Sequence, residues 1–166
     1  MIKHMNKEDK NLLVKDLSCR IPYGIKACLD IFNDKSLVND CKIIGIKSNG
    51  QIEYIFLNNL AKCSNYDISL FKPYLRPMSS MTKQEKKEYT ELCRQSYIYD
   101  VDNVKNLFEW LLKNNFDYNN LIDKGLAIDI VQYNINNGLL SIEQISNSRL
   151  NIRKRKKKWK RKILKN

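Results

Sequence analysis

Residues 71–82 constrain the fold of this chain strongly, because they separate two kinds of sequence pattern. They contain two of the three prolines, Pro73 and Pro77. A proline lacks a backbone N–H and disfavours helical geometry in the residue before it. We therefore predict an extended connector over residues 72–78, with strand-like sequence before it and helical sequence after it.

The N-terminal part of the chain predicts a helix followed by a strand. Asn6 is a capping residue with acidic residues in the turn after it, and Leu13, Leu17 and Ile21 then recur every four residues. We expect the helix to end before the proline that follows Ile21. Over residues 25–31 apolar and polar residues alternate, which is the pattern of a strand covered on one face.

Residues 41–58 predict a β-hairpin. Two β-rich runs flank the pair Asn49-Gly50, which readily adopts the positive φ angles of a type I′ turn. In that register Gly45 lies opposite Tyr54 and leaves room for its ring. A short last strand is expected at residues 68–71, just before the connector.

The second half of the chain carries helical patterns. Thr82 and Glu85 match the capping box at the start of a helix that we expect to reach about Tyr97. A second helix is predicted from Val101 to Asn114, with a wide apolar face. We expect the apolar faces of both helices to lie in the core.

Three later segments are shorter or less regular. Residues 116–125 read as a loop and one helical turn closed by Gly125. Residues 126–133 fit either a strand or a helix, and we favour a helix that ends near Gly138. Residues 141–144 match the capping box again and predict the start of a final helix.

Together these patterns predict an α+β fold, in a chain whose 166 residues and 43% hydrophobic content suit one domain with a core. An N-terminal helix precedes a small antiparallel sheet of three or four strands and a helical half. Closure of the strands into a small barrel of the Sm or Src-homology type is an alternative. We predict one domain over residues 1–148, with its hinge at residues 72–82, and a basic C-terminal helix or tail over residues 149–166.

The net charge of +12 is concentrated in residues 149–166, which we call the tail. The tail holds eleven Lys or Arg and no Asp or Glu, whereas the rest of the chain holds 19 basic and 18 acidic residues. A general richness in lysine would not remove every acid from one segment. Such a segment can neutralise phosphates and release their counterions, so nucleic acid is the predicted partner, without sequence specificity.

The predicted contact residues are the basic side chains of the tail and one tryptophan that can stack on a base. They are Arg149, Arg153, Lys154, Arg155, Lys156, Lys157, Lys158, Trp159, Lys160, Arg161, Lys162 and Lys165. The same pattern also fits contact with an acidic protein, contact with an anionic membrane surface, or a solvated tail. The alternative functional hypothesis is a protein-interaction or virion-associated module whose body binds a protein partner.

Tyr74 and Arg76 in the connector are further candidate contact residues, since connecting segments often carry binding side chains. The structural interpretation, which we favour, packs Tyr74 over the sheet and pairs Arg76 with loop carbonyls. In that interpretation Ser80 or Thr82 caps the next helix.

Catalytic and metal chemistry lack the residues they need. His4 is the only histidine, the five cysteines contain no Cys-x-x-Cys pair, and the five glycines do not form a phosphate loop. We therefore predict a non-enzymatic protein without a metal or cofactor. Free, buried thiols in a reducing cytoplasm are the expected state of the cysteines. No apolar run approaches the roughly 20 residues of a membrane span, so a soluble cytoplasmic protein is expected.

Three motifs carry a resemblance to a known family. They are Pro22-Tyr23-Gly24, Lys72-Pro-Tyr-Leu-Arg-Pro-Met-Ser-Ser-Met-Thr82 and Asn115-Phe-Asp-Tyr-Asn-Asn-Leu-Ile-Asp-Lys-Gly-Leu-Ala127. By these motifs the chain resembles a family of small uncharacterised proteins encoded by Bacteroides-type gut bacteria and their phages, crAss-like phages included. This chain departs from the family at Asn115, Asn119 and Asn120, where the family has histidine, arginine and glycine. The resemblance implies a phage-related setting, in the bacterial host cytoplasm or in a virion, and no particular mechanism.

Overall fold

The structure, a computed structural model, describes residues 5–30, 39–97 and 101–139. These residues form four α-helices and a mixed sheet, so the predicted α+β class is confirmed. The helices are α1 (Lys7–Arg20), α2 (Lys83–Ser96), α3 (Val101–Lys113) and α4 (Ile130–Asn136). The strands are β1 (Lys26–Leu29), β2 (Asn39–Ile46), β3 (Gln51–Phe56), β4 (Lys62–Asp67), β5 (Phe71–Pro77), β6 (Phe116–Asp117) and β7 (Ile128–Asp129).

Helix α1 forms where its sequence signals predict. The Asn6 side chain accepts a hydrogen bond of 2.7 Å from the backbone N–H of Asp9, which satisfies one free donor of the first turn. Leu13 and Leu17 lie one turn apart and are fully buried in the main core cluster. After a short 3₁₀ turn, Gly24 adopts a left-handed φ of 76° and leads the chain into β1.

The sheet contains more strands than the three or four expected. Five strands are antiparallel in the order β4-β3-β2-β1-β5, and the two-residue strands β6 and β7 pair in parallel with β5. Within the described ranges β4 and β6 end the strand order at opposite edges and do not pair. The barrel form of the sheet is therefore not found in this part of the chain.

Strand β5 is the segment expected to be a connector. Its backbone is extended as predicted, but it lies inside the sheet, between β1 on one side and β6 and β7 on the other. Proline fixes φ at a value that extended structure tolerates, and here Pro73 pairs opposite Ala27 while Pro77 ends the strand. The strands that join it from the second half are too short to produce a periodic pattern.

Two predictions near β5 are corrected by the structure. The strand expected at residues 68–71 is a 3₁₀ turn over Ile68–Leu70, and β5 begins only at Phe71. Strand β4, which precedes this turn, was not predicted. Its sequence is mostly polar and contains Asn65 and Asp67, residue types that are rare in strands.

The turn between β2 and β3 is not the predicted type I′ turn. The Lys47 N–H donates to the Gln51 carbonyl and the Gly50 N–H donates to the Lys47 carbonyl, both at 2.9 Å. Gly50 has a φ of 81°, whereas Asn49 does not adopt a positive φ. This geometry is a three-residue turn closed by a glycine bulge.

The longer turn changes the register of the hairpin. Gly45 lies opposite Glu53, and a bulge between Ile43 and Gly45 then brings Tyr54 opposite Ile43. The expected pairing of Gly45 with Tyr54 is therefore wrong. A Cβ atom at Gly45 would lie 2.6 Å from Glu53 Oε2, so it is the glutamate that occupies this space.

The main core lies between α1 and one face of the sheet, which we call the inner face. The ring of Tyr54 packs edge-on against Phe56 and Phe71 at centroid distances of 5.1 Å and is fully buried. The fully buried members of the cluster are Leu13, Leu17, Ile25, Ala27, Leu29, Cys41, Ile43, Ile52, Tyr54, Ile68, Phe71, Leu75 and Leu121.

Helices α2 and α3 are packed less deeply than expected. The two helices contact each other, and the Asn103 side chain donates to the Gln95 carbonyl across their interface. No residue of α2 is buried, so its predicted place in the core is wrong. Helix α3 buries Leu111 and Leu112 near its C-terminal end, but Val101 at its start is 82% exposed.

The ambiguous segment 126–133 contains both structures that its sequence allows. Ile128 and Asp129 form β7, and α4 begins at Ile130. The Asp129 carboxylate accepts hydrogen bonds from the backbone N–H groups of the first turn, and the helix ends two residues before Gly138. The final helix predicted from residues 141–144 lies outside the described residues.

Candidate functional site

The tail, with the predicted nucleic-acid contacts from Arg149 to Lys165 and Trp159 among them, lies outside the described residues. His4 also lies outside them. Of the contact residues predicted from the sequence, the structure places only Tyr74 and Arg76, both on strand β5.

Tyr74 is buried and holds three elements together. Its hydroxyl donates a hydrogen bond of 2.5 Å to Asp40 Oδ1 on β2, and its ring packs against Tyr133 of α4 at a centroid distance of 5.3 Å. Burial raises the pKa of the Tyr74 hydroxyl, and the bond to Asp40 raises it further, so this group stays a protonated donor. These contacts agree with the structural interpretation of Tyr74.

Arg76 joins the sheet to the start of α2. Its guanidinium donates two hydrogen bonds to the Glu85 carboxylate, at 2.7 and 3.0 Å, and lies over the ring of Phe116 at 4.4 Å. The acceptor is therefore a carboxylate, where loop carbonyls were expected. A planar fork paired with a carboxylate is among the stronger polar contacts that proteins form.

Glu85 serves both this ion pair and the cap of α2. The Thr82 hydroxyl accepts from the Glu85 N–H at 3.2 Å, and Glu85 Oε2 accepts from the Thr82 N–H at 2.7 Å. The predicted capping box is thus confirmed. The hydrogen bonds from Arg76, together with that from the Thr82 backbone, lower the pKa of Glu85 to about 2 despite partial burial.

A buried ion pair that the sequence analysis did not single out joins α1 to the segment after α3. Arg20 Nε donates to Asp16 Oδ2 at 2.6 Å, and both side chains are fully buried. Arg20 Nη2 also donates to the Phe116 carbonyl at 2.9 Å, and Asn119 Nδ2 donates to Asp16 Oδ1 at 2.9 Å. An Asp–Arg pair four residues apart is typical of exposed helix faces, so its spacing did not reveal the burial.

Two asparagines in the segment after α3 have a local structural role. Asn119 uses its side-chain amide to bind Asp16. Asn120 has a φ of 57°, a left-handed conformation that asparagine tolerates better than most residues other than glycine.

The face of the sheet opposite α1, which we call the outer face, presents lysines from several strands. Lys26 lies directly opposite Lys42, Lys42 lies opposite Ile55, and Ile55 lies opposite Lys62. Residues paired in this way point to the same side of the sheet. We call the three exposed side chains Lys26, Lys42 and Lys62 the lysine row. The sequence did not reveal it because only the strand register brings these residues together.

Apolar side chains are exposed on the α2–α3 pair, just after the end of α2 and along the first two turns of α3. Tyr97 and Val101 are each 82% exposed, Phe108 is 45% exposed and Val104 is 40% exposed. We call these four residues the apolar end. An open groove nearby has a volume of about 520 Å³ and is lined mainly by polar side chains of α2, with Trp110 of α3 contributing to one wall.

The five cysteines differ in their exposure to solvent. All five thiols are free, but Cys41 alone is buried and Cys19 is exposed, so the expected burial applies to one of them. Burial raises the pKa of the Cys41 thiol to about 12.

In the part of the chain that the structure describes, no helix has the length and apolar content needed to cross a membrane.

Comparisons of this chain with protein-family models, with curated proteins and with solved structures found no match. Among the described residues, His, Cys, Asp and Glu side chains do not form a group of three or more that could hold a metal ion. The family resemblance, the phage-related setting and the non-enzymatic interpretation therefore stay predictions.

Proposed function

We propose that this protein is a non-enzymatic, phage-related protein that associates with nucleic acid through its tail. The observation that carries the proposal is the separation of charge along the chain. Eleven Lys or Arg without an acid occupy residues 149–166, whereas the other residues are nearly balanced at 19 basic and 18 acidic. The tail would neutralise phosphates and release counterions, which gives affinity without base recognition.

In this proposal residues 1–148, which we call the body, serve as a scaffold for the tail. The body's buried polar side chains serve to join secondary-structure elements: Tyr74 of β5 binds Asp40 of β2, and Arg20 of α1 binds the Phe116 carbonyl of β6. Arg76 does the same between β5 and α2. We propose that this body carries the tail and that the protein acts in the bacterial cytoplasm or in a virion.

A salt titration of DNA binding tests the proposal. The full chain is compared with a tail-neutral variant, in which every Lys and Arg of residues 149–166 is replaced by Gln. With roughly 6–10 phosphate contacts, the affinity of the natural chain should fall about 10³–10⁵-fold between 50 and 200 mM salt. The tail-neutral variant should bind weakly and with a much smaller salt dependence. Equal affinity and equal salt dependence in the two proteins would rule the proposal out.

The apolar end favours a second candidate function, in which the body binds a protein partner. Large apolar side chains grouped on a surface mark interaction sites more often than scattered ones do. In a pull-down from producing cells, V101K/V104K should then lose a partner that the natural chain retains. The variant K83Q/K86Q, which changes exposed lysines of α2, should retain it. Retention of the partner by both variants would count against this use of the apolar end.

A further inference from the structure

We infer that the outer face of the sheet is a second phosphate-binding surface, on which the lysine row contacts the backbone of a bound nucleic acid. This inference rests on the proposed association with nucleic acid and adds a surface on the folded body. The tail and the outer face would then hold the same ligand at separate places.

The geometry of the lysine row suits an extended chain of phosphates. The row crosses from β1 through β2 and β3 to β4, which are hydrogen-bonded neighbours. Neighbouring strands lie about 4.8 Å apart, so the row is about 14 Å long. A row of that length, lying parallel to the axis of a duplex, spans roughly four base-pair steps of about 3.4 Å each. Ile55, between Lys42 and Lys62 in the row, provides an apolar surface for the sugars.

The charge of the outer face also suits a phosphate backbone. Lys72 pairs opposite Cys28 on this face, and the ammonium of Lys47 reaches Ser64 Oγ on β4 at 3.0 Å. Carboxylates also lie on or beside this face, at Asp30, Asp40, Glu53 and, at the end of β4, Asp67, which pairs with Lys10. The Asp40 carboxylate accepts a hydrogen bond from the Tyr74 hydroxyl, and the Glu53 side chain lies over Gly45.

The pairing of Lys26 with Lys42 does not favour the folded sheet. Like charges directly opposite each other on neighbouring strands destabilise the pairing. Among the described residues, the ion pairs involve Lys10, Arg20, Arg76, Arg94 and Lys105, and none of them uses a member of the lysine row. A phosphate bound at these two ammonium groups would offset the repulsion between them.

The test compares two variants of the full chain that remove the same charge at different places. The row variant is K26Q/K42Q/K62Q, and the control is K83Q/K86Q/K87Q on the exposed surface of α2. Binding to a fluorescein-labelled 20-base-pair DNA duplex and to one of its single strands is measured by anisotropy from 50 to 400 mM NaCl.

We expect the row variant to bind at least about tenfold more weakly than the control at 100 mM salt. Its plot of log K against log salt for the duplex should be shallower by about 0.9 for each phosphate that the row no longer neutralises. Its thermal midpoint should equal or exceed that of the natural chain, since the Lys26–Lys42 repulsion is gone. A row variant that binds as the control does would overturn the inference, and so would weaker binding that merely follows a lowered thermal midpoint.

The tail-neutral variant separates this inference from the proposed function. If it loses binding while the row variant matches its control, the tail proposal stands and the inference fails. If the row variant loses binding and the tail-neutral variant does not, the outer face is the binding surface and the tail proposal fails. If the row variant lost binding to phosphatidylserine vesicles while its binding to both DNA probes was unchanged, the outer face would be a membrane-binding surface and the inference would be overturned.

Discussion

The core under α1 and the α2–α3 pair differ in a way that their sequences do not suggest. Helix α1 has a weak amphipathic pattern, yet Leu13 and Leu17 are completely buried. Helix α3 has a much stronger apolar stripe, yet Val101 is 82% exposed and Val104 is 40% exposed. An apolar stripe shows which side of a helix can be buried, but the surface opposite that side decides how much is buried.

The strands supply that opposing surface for α1. Five paired strands present a continuous set of apolar side chains to it, among them Ala27, Ile43 and Tyr54. Helix α3 packs on α2, β6 and a small part of α1. A second, smaller hydrophobic cluster contains the buried residues Met81, Leu111 and Phe116. We therefore expect substitutions under α1 to affect stability strongly and those at the apolar end to affect it little.

The largest contrast is expected between two phenylalanines. Phe71→Ala should lower the free energy of unfolding by roughly 3–5 kcal/mol, because it leaves a cavity in the main core. Phe108→Ala should lower it by about 1 kcal/mol or less, because the Phe108 ring is already 45% exposed. Urea denaturation of the two variants measures both values. Equal decreases would mean that the two regions are packed equally tightly.

The buried ion pair of α1 and an exposed ion pair of α2 should also differ in their effect on stability. Asp16→Asn should lower the free energy of unfolding by about 3 kcal/mol, because it leaves the buried Arg20 guanidinium without its counter-charge. Glu91→Gln breaks an exposed pair with Arg94 and should leave stability unchanged within error. The same denaturation experiment compares them. A small effect of Asp16→Asn would show that the buried pair does not anchor α1.

The junction between β5 and α2 should show a pH dependence. The pKa of Glu85 is about 2 in the folded chain, below its ordinary value of 4.5, so its contribution is complete above pH 4.5 and is lost as the pH falls towards 2. Glu85→Gln should therefore destabilise the protein by roughly 2 kcal/mol at pH 7, and the difference should shrink towards zero by about pH 2. Denaturation at several pH values gives the difference.

Glu88→Gln is the matched control for that pH series, since Glu88 is an exposed carboxylate on the same helix. We expect its difference from the natural chain to stay small throughout. A difference for Glu85→Gln that remained constant between pH 7 and pH 2.5 would show that the Arg76–Glu85 pair does not stabilise the fold through the ionised carboxylate.

The smallest effect is expected at the apolar end. Val101→Ser should change the free energy of unfolding by less than about 0.5 kcal/mol, because the side chain is 82% exposed. Thermal melting can detect a larger change. A decrease above about 1 kcal/mol would mean that Val101 is packed more tightly than its exposure indicates.

Local signals predicted those parts of the fold that depend on a few neighbouring residues. The cap at Asn6 needs one side chain, the capping box needs those of Thr82 and Glu85, and both involve only groups within three residues of each other. The alternation over Ile25, Ala27 and Leu29 correctly identified the buried side of β1. The turn at Asn49 and Gly50 was located correctly but its type was wrong, because the pair also suits a turn in which only the glycine has a positive φ.

These local signals did not predict contacts between residues that are far apart in the chain. The parallel pairing of Arg76 with Phe116 joins residues from opposite halves of the chain, and the buried contact of Arg20 with the Phe116 carbonyl depends on the same arrangement. The lysine row could not be predicted from local sequence for the same reason. The charge of the tail is visible in the sequence, whereas the lysine row exists only in the register that aligns β1, β2, β3 and β4.

The sequence by itself determined the α+β class, the helix caps, the one-sided strand β1 and the charge separation between body and tail. Each of these follows from residue type and short spacing. Only the tertiary structure decided that the proline-bearing segment is a strand inside the sheet, that Asp16 and Arg20 are buried, and that α2 is not. Burial and cross-strand register depend on which distant surface each element meets, and no local pattern specifies that surface.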